Sequence, residues 1–135
     1  MTSNNLSDED YEALADFRHA LRQFQAFSES HAAKFGLTVQ QHQALLAIRG
    51  APAAGVSIGY IADRMMVKPH SASGLITRLE ALDLIERRAS LDDGRQTIIH
   101  LTAKSHELLS ALSSTHREEI VRLRPLLIGL LKRFP

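Results

Sequence analysis

Cysteine is absent from the 135 residues, and with it go disulfides, thiolate metal sites and thiol redox sensing. No apolar run is long enough to span a bilayer, and Met1 to Asp10 are polar and acidic, without the basic-then-apolar pattern of a secretion leader. A cytoplasmic protein with no membrane partner is therefore expected. Charge of one sign is scarce as well: 16 Lys and Arg against 15 Asp and Glu leave a formal +1, so composition alone does not point to nucleic acid. Missing too are a glycine-rich phosphate loop, a nucleophile elbow and a spaced acid pair, so no enzyme and no catalytic residue is expected. Without repeats, linkers or low-complexity tracts, residues 1–135 read as one domain able to bury a core.

What charge there is lies unevenly. Asp8, Glu9, Asp10, Glu12, Asp16 and Glu29 make the first 35 residues acidic, whereas Arg64, Lys68, Arg78, Arg87, Arg88, Arg95 and Lys104 make the centre basic. Attraction to phosphate depends on local clustering more than on the whole-chain sum, so the centre is compatible with DNA.

The centre also carries the clearest pattern. Leu84–Arg88 and Gln96–Leu101 alternate like strands around Asp92-Asp93-Gly94-Arg95, the mark of a β-hairpin with a basic tip. Asp93 fits the turn by accepting hydrogen bonds from its amides or by holding Arg95 in position, rather than by touching DNA. Just upstream, Ser57 caps a short helix through Ile58, Ile61, Ala62 and Met65, and Pro69 opens a second one after Val67-Lys68. Ala72, Leu75, Ile76, Leu79 and Leu82 fall on one side of that second helix. The other side presents His70, Ser73, Gly74 and Thr77, with Ser71 and Arg78 at the margins.

A helix-turn-helix followed by a wing can address both grooves of a duplex. On this reading Ser71, Ser73, Thr77 and Arg78 read the major groove, Lys68 and His70 meet phosphates at the helix start, and Arg95 probes the minor groove. Arg64, Arg87 and Arg88 are weaker phosphate candidates.

The flanking segments read as helices with surplus apolar surface. Ser7 with Asp8, Glu9 and Asp10 resembles a helix start, and Tyr11, Leu14, Phe17, Leu21, Phe24, Phe27 and Phe35 recur along a helix of roughly 25 residues. Thr38 and Gln41 form a capping-box pattern for a helix through Leu45, Leu46 and Ile48 that ends in the Gly50 to Gly55 stretch. Thr102 caps a last helix that Pro125 is expected to break or kink, followed by the very apolar Leu126 to Phe134. Both end helices carry more apolar surface than one small core can cover, so a homodimer is expected.

These residues resemble the MarR-type winged-helix regulators. The family's wing signature, Asp-x-Arg followed after five residues by Leu-Thr, is matched by Asp93-Gly94-Arg95 and Leu101-Thr102. Leu37-Thr38, Ile61-Ala62, Leu79-Glu80 and Leu84-Ile85-Glu86-Arg87 extend the likeness over nearly the whole chain. The resemblance implies a mainly α fold with a small β-hairpin (α+β), with dimerisation helices at 7–35 and 102–135 that interlock around a winged helix-turn-helix at 37–101. It also implies a dimeric, sequence-specific regulator of transcription bound to a pseudo-palindromic operator, usually a repressor released by a small anionic or phenolic effector. Two positions depart from the pattern: Asp83 and Ser105 stand where the family usually or often has glycine. The missing cysteine removes the peroxide-sensing branch.

Two rival readings remain. A winged helix can serve as a protein-interaction module with its polar helix merely solvated. The seven histidines could instead make a metal-responsive regulator from His31, His42, His106 and His116, although no pair has i, i+4 spacing and scattered histidines fit better. No metal and no cofactor is expected.

Overall fold

Each helix start is chemically specified. Ser7 and Asp10 form a reciprocal capping box at the head of α1 (Asp8–Lys34), and Thr38 and Gln41 do the same for α2 (Val39–Arg49). Ser57 accepts the Tyr60 amide at 3.1 Å to open α3 (Ile58–Met65). Pro69 is the first residue of α4 (Pro69–Ala81), where its missing N–H costs nothing. The hairpin is β1 (Ile85–Ala89) and β2 (Thr97–Leu101), antiparallel, pairing Ile85 with Leu101 and Ala89 with Thr97. Thr102 caps α5 (Ala103–Arg133). The computed structural model describes residues 5–92 and 94–134, so Asp93 and the role expected of it lie outside the described residues.

The core sits where α2, α3, α4 and the hairpin meet the first part of α5. Leu45, Ile61, Ile76, Leu79, Leu84, Ile85, Ile99 and Leu112 are fully buried there. Burial of each such side chain contributes about 1.5–3 kcal/mol relative to exposure. A bridge between Val56 and Ile99 adds the α2–α3 loop as a third, one-residue edge to the sheet.

Outside that core the end helices lie along each other but bury little. Among the described residues, Ala32 is the one buried residue of α1, and Leu112 is the last buried one along α5. Arg133 closes the pair by reaching Glu9 at 2.9 Å and Asp10 at 3.1 Å. The hydrogen bonds from Ser7 and the Arg133 charge hold the Asp10 carboxyl below its usual range.

Two expectations need correction. Pro125 lies inside α5 without ending it; the carbonyl it leaves unpaired belongs to Val121, on an exposed stretch where water can take it. Leu82 is 42% exposed because the helix has ended there, so it lies off the inner face of α4. Leu46, within α2 as expected, is 46% exposed beside the buried Leu45 and faces a cleft.

Candidate nucleic-acid interface

The turn between α3 and α4 is made by two conformational constraints in sequence. Met66 takes a left-handed conformation (φ 57°) that stops α3, and Lys68 is held extended (φ −70°, ψ 149°) because it precedes proline. Lys68 is the N-cap but gives α4 no side-chain cap, so the amides of the first turn are left for solvent or an anion. His70 and Ser71 are exposed on that turn, and Lys68 stands beside them. Ser73 and Gly74 are half-buried, whereas Thr77 and Arg78 are exposed one turn on. Together these residues make a narrow polar face opposite the buried Ala72, Leu75, Ile76 and Leu79.

The hairpin is tied to this face through Arg87. Its Nη2 donates to the Thr77 hydroxyl at 3.0 Å, and its Nε lies 3.4 Å from the Glu80 carboxylate. Thr77 in turn donates to the Ser73 carbonyl at 3.1 Å. Arg87 is thus a strut between wing and helix. Arg88, the neighbouring arginine, lies on the opposite face of the hairpin and pairs with Glu86. Arg95 is exposed in the loop joining the strands, and Arg64 is exposed in the last turn of α3. Lys68, His70, Ser71, Ser73, Thr77 and Arg78 therefore come together on and around α4, Arg95 stands apart at the wing tip, and Arg87 and Arg88 diverge.

Sequence reasoning missed two exposed apolar residues in this region, Met66 at 93% and Leu91 at 103% exposure. Under α2 lies a cluster of rings that joins three of the four histidines weighed as metal ligands. His42 is buried at 3% exposure, with its ring 5.0 Å from that of His116; His31 lies 6.1 Å from His116 on the other side. Leu112's carbonyl, 2.8 Å from His116 Nδ1, can only accept, so Nδ1 carries the proton. Nε2 lies within hydrogen-bond distance of the Ser28 hydroxyl, at 2.7 Å. Burial, reinforced by the neighbouring His116 and His31, pushes the His42 pKa below 6.5. His42 and His116 border a cleft of about 510 Å³ between α1, α2 and α5, with Leu21, Phe24 and Leu46 on its apolar side. Among the described residues no group of three or more His, Asp or Glu is placed to hold a metal ion. His106, at the start of α5, faces a different cleft.

Residues 35–96 match the model of the MarR family. That stretch, from the start of α2 to the wing, is therefore similar to the MarR-type winged helix. Solved structures agree over nearly its full length. AbsC, a MarR family transcriptional regulator from Streptomyces coelicolor, superposes with a TM-score of 0.71 at 22% identity, over 95% of this chain and 84% of AbsC. MepR, a transcription regulator of the Staphylococcus aureus multidrug efflux pump MepA, gives 0.74 at 21% identity, over 88% of this chain and 96% of MepR. MepR in its DNA complex gives 0.69 at 21% identity, over 90% of this chain and 85% of that one. At such identities the likeness is one of fold. Among curated proteins no sequence matches the chain significantly. AbsC and MepR are transcription regulators, and among the described residues of this chain no helix is long and apolar enough to cross a membrane.

Proposed function

We propose that this chain is a MarR-type, homodimeric, sequence-specific DNA-binding regulator of transcription, a repressor that responds to a small anionic or phenolic effector. The observation that carries the reading is the exposed polar face of α4 with the wing strutted beside it by Arg87. Residues 37–101 bind DNA: Ser71, Ser73, Thr77 and Arg78 face base edges, and Lys68, His70 and Arg64 meet phosphates. Arg95 enters the minor groove. MepR's DNA complex supports this use of the fold. Residues 7–35 and 102–135 dimerise, which would cover the exposed Tyr11, Leu21, Ile120, Val121, Ile128 and Leu131. The cleft beside His42 and His116, apolar with imidazoles at its edge, suits an aromatic or anionic effector.

Selection of duplexes from a random pool tests the reading. A pseudo-palindrome with half-sites about one helical turn apart is expected, and its affinity should fall linearly on a log–log plot against salt. A pool with no enriched sequence, or binding without salt dependence, would instead favour a winged helix that binds protein.

A further inference from the structure

A second cleft, of about 440 Å³, opens at the root of the wing. Its walls come from four separate places: the end of α2 (Ile48, Arg49), the loop Ala51–Ala54, the strands (Arg88, His100) and the first turns of α5 (His106). The register explains why it forms. Arg87 and Ile99 share the sheet face turned to the body, and Arg87 reaches α4 from there. Arg88 and His100 therefore project from the opposite face, away from the recognition helix. The loop can lie against that outer face because residue 55 is glycine. A Cβ at Gly55 would come within 2.4 Å of Ile98 Cγ2 and 2.6 Å of His100 Cε1. The absent side chain lets the backbone close over Ile98 and abut the His100 ring.

The chemistry of the lining is one-sided. Arg49, Arg88, His100 and His106 all offer N–H donors, and no carboxylate lines the cleft. The nearest acid on this face, Glu86, is engaged by Arg88, whose guanidinium has five donors and so retains others. Ala51, Pro52, Ala53 and Ala54 supply a small, mostly apolar wall beside these donors. We propose that this cleft binds a small molecule bearing a phosphate dianion, with the phosphate on Arg49, Arg88 and the two imidazoles and its carbon skeleton against the Ala51–Ala54 loop. A bound phosphate would tie the end of α2 and the start of α5 to the wing strands. The same chemistry is carried by a DNA backbone, but the cleft opens on the face of the sheet away from α4, so a free phosphate ester is the occupant.

The test is calorimetric titration of the full chain with glycerol 3-phosphate, at constant ionic strength against chloride, for the parent, Arg49→Gln and His106→Gln. Both substituted side chains are exposed, and unchanged unfolding midpoints without ligand would show that each variant folds. Saturable binding by the parent is expected, weakened about tenfold or more in each variant, as loss of a charge-assisted hydrogen bond does. A parent that takes up no phosphate ester beyond the chloride control, or variants that bind it like the parent, would overturn the proposal. A parallel titration with duplexes of short and long flanks separates the other source. If the variants lose affinity only for long-flanked DNA, the occupant is the duplex backbone and the small-molecule site is wrong. Because no operator recognition is needed for the first titration, its result is independent of the DNA-binding reading.

Discussion

The Thr102 hydroxyl donates to the Asp83 carbonyl at 2.7 Å and accepts the Ser105 amide at 3.3 Å, so one side chain caps α5 and holds the turn that ends α4. Its neighbours extend the connection. Lys104 Nζ donates to the Leu82 carbonyl at 2.8 Å, and the buried Ser105 hydroxyl donates to that of Leu84. Three successive carbonyls left over at the end of the recognition helix are thus taken by the first turn of α5. The wing leaves and returns at this junction, which fixes its root against the helix.

Thr102→Val should therefore lower unfolding stability by about 1–2 kcal/mol, the sum of a lost cap and a lost tertiary hydrogen bond. Ser105→Ala should cost less, because the Leu84 carbonyl keeps the Thr102 amide at 3.3 Å. Urea denaturation measures both. A Thr102→Val protein as stable as the parent would mean the junction is held by packing alone.

Among the described residues, two that are not glycine occupy left-handed conformations, Met66 at φ 57° and Asp83 at φ 59°. Glycine substitution should stabilise at Met66 by about 1 kcal/mol, since that conformation costs an L-residue about 1–2 kcal/mol and glycine returns part in chain entropy. Met66 is 93% exposed, so little packing is lost. The gain at Asp83 should be smaller, because a short polar side chain tolerates the region better. Equal or reversed gains in thermal midpoint would contradict this ranking.

Acid should weaken the fold through His42. Its pKa in the folded chain lies below 6.5, so between that lowered value and 6.5 the unfolded chain binds more protons than the folded one. The stabilisation is present in full above 6.5 and is lost as pH falls through the folded value. His42→Leu should flatten the stability profile in this window, and a variant with the parent's slope would place the effect elsewhere.

Much of this was legible in the sequence because local signals coincide there. Ser7, Thr38, Ser57 and Thr102 each announce a helix start through a hydroxyl at the N-cap, and alternation places Thr97, Ile99 and Leu101 on one sheet face. Continuity of α5 through Pro125 was not legible, since proline's local cost can be outweighed by helix on both sides and by hydration of the freed carbonyl. That His31, His42 and His116 adjoin while His106 stands apart was not legible for a different reason: the four come from three helices with no sequence spacing to link them. Arg87 and Arg88 look alike in sequence, and only the pleat sends one to Thr77 and the other to Glu86.

On the recognition face, Arg78→Ala should weaken operator binding far more than binding to random DNA, because base-edge contacts distinguish sequences and phosphate contacts do not. A loss of about 1–3 kcal/mol is expected for such a contact. Thr77→Ala combines two effects, since the hydroxyl also receives Arg87. Thr77→Ala should therefore loosen the wing as well, and Arg87→Gln should reproduce part of its loss. Equal losses on operator and random DNA for Arg78→Ala would place that side chain on the backbone.

Arg95→Ala should sharply reduce operator binding while leaving fold and dimerisation intact, because the residue is exposed in the loop joining the strands and far from the core. A cation there matters most in a narrow minor groove, where A·T-rich flanks concentrate negative potential. The variant should lose most of any preference for such flanks, and its salt dependence should become shallower by about one phosphate equivalent per wing. Arg95→Lys separates charge from shape. Lysine keeps the charge but is more strongly hydrated and lacks the planar fork, so it should restore only part of the affinity. Arg64→Ala provides the contrast, since a backbone contact should lower affinity to every duplex alike. If Arg95→Ala bound A·T-flanked and G·C-flanked operators like the parent at every salt concentration, the wing would lie outside the minor groove, and specificity would rest on α4 alone.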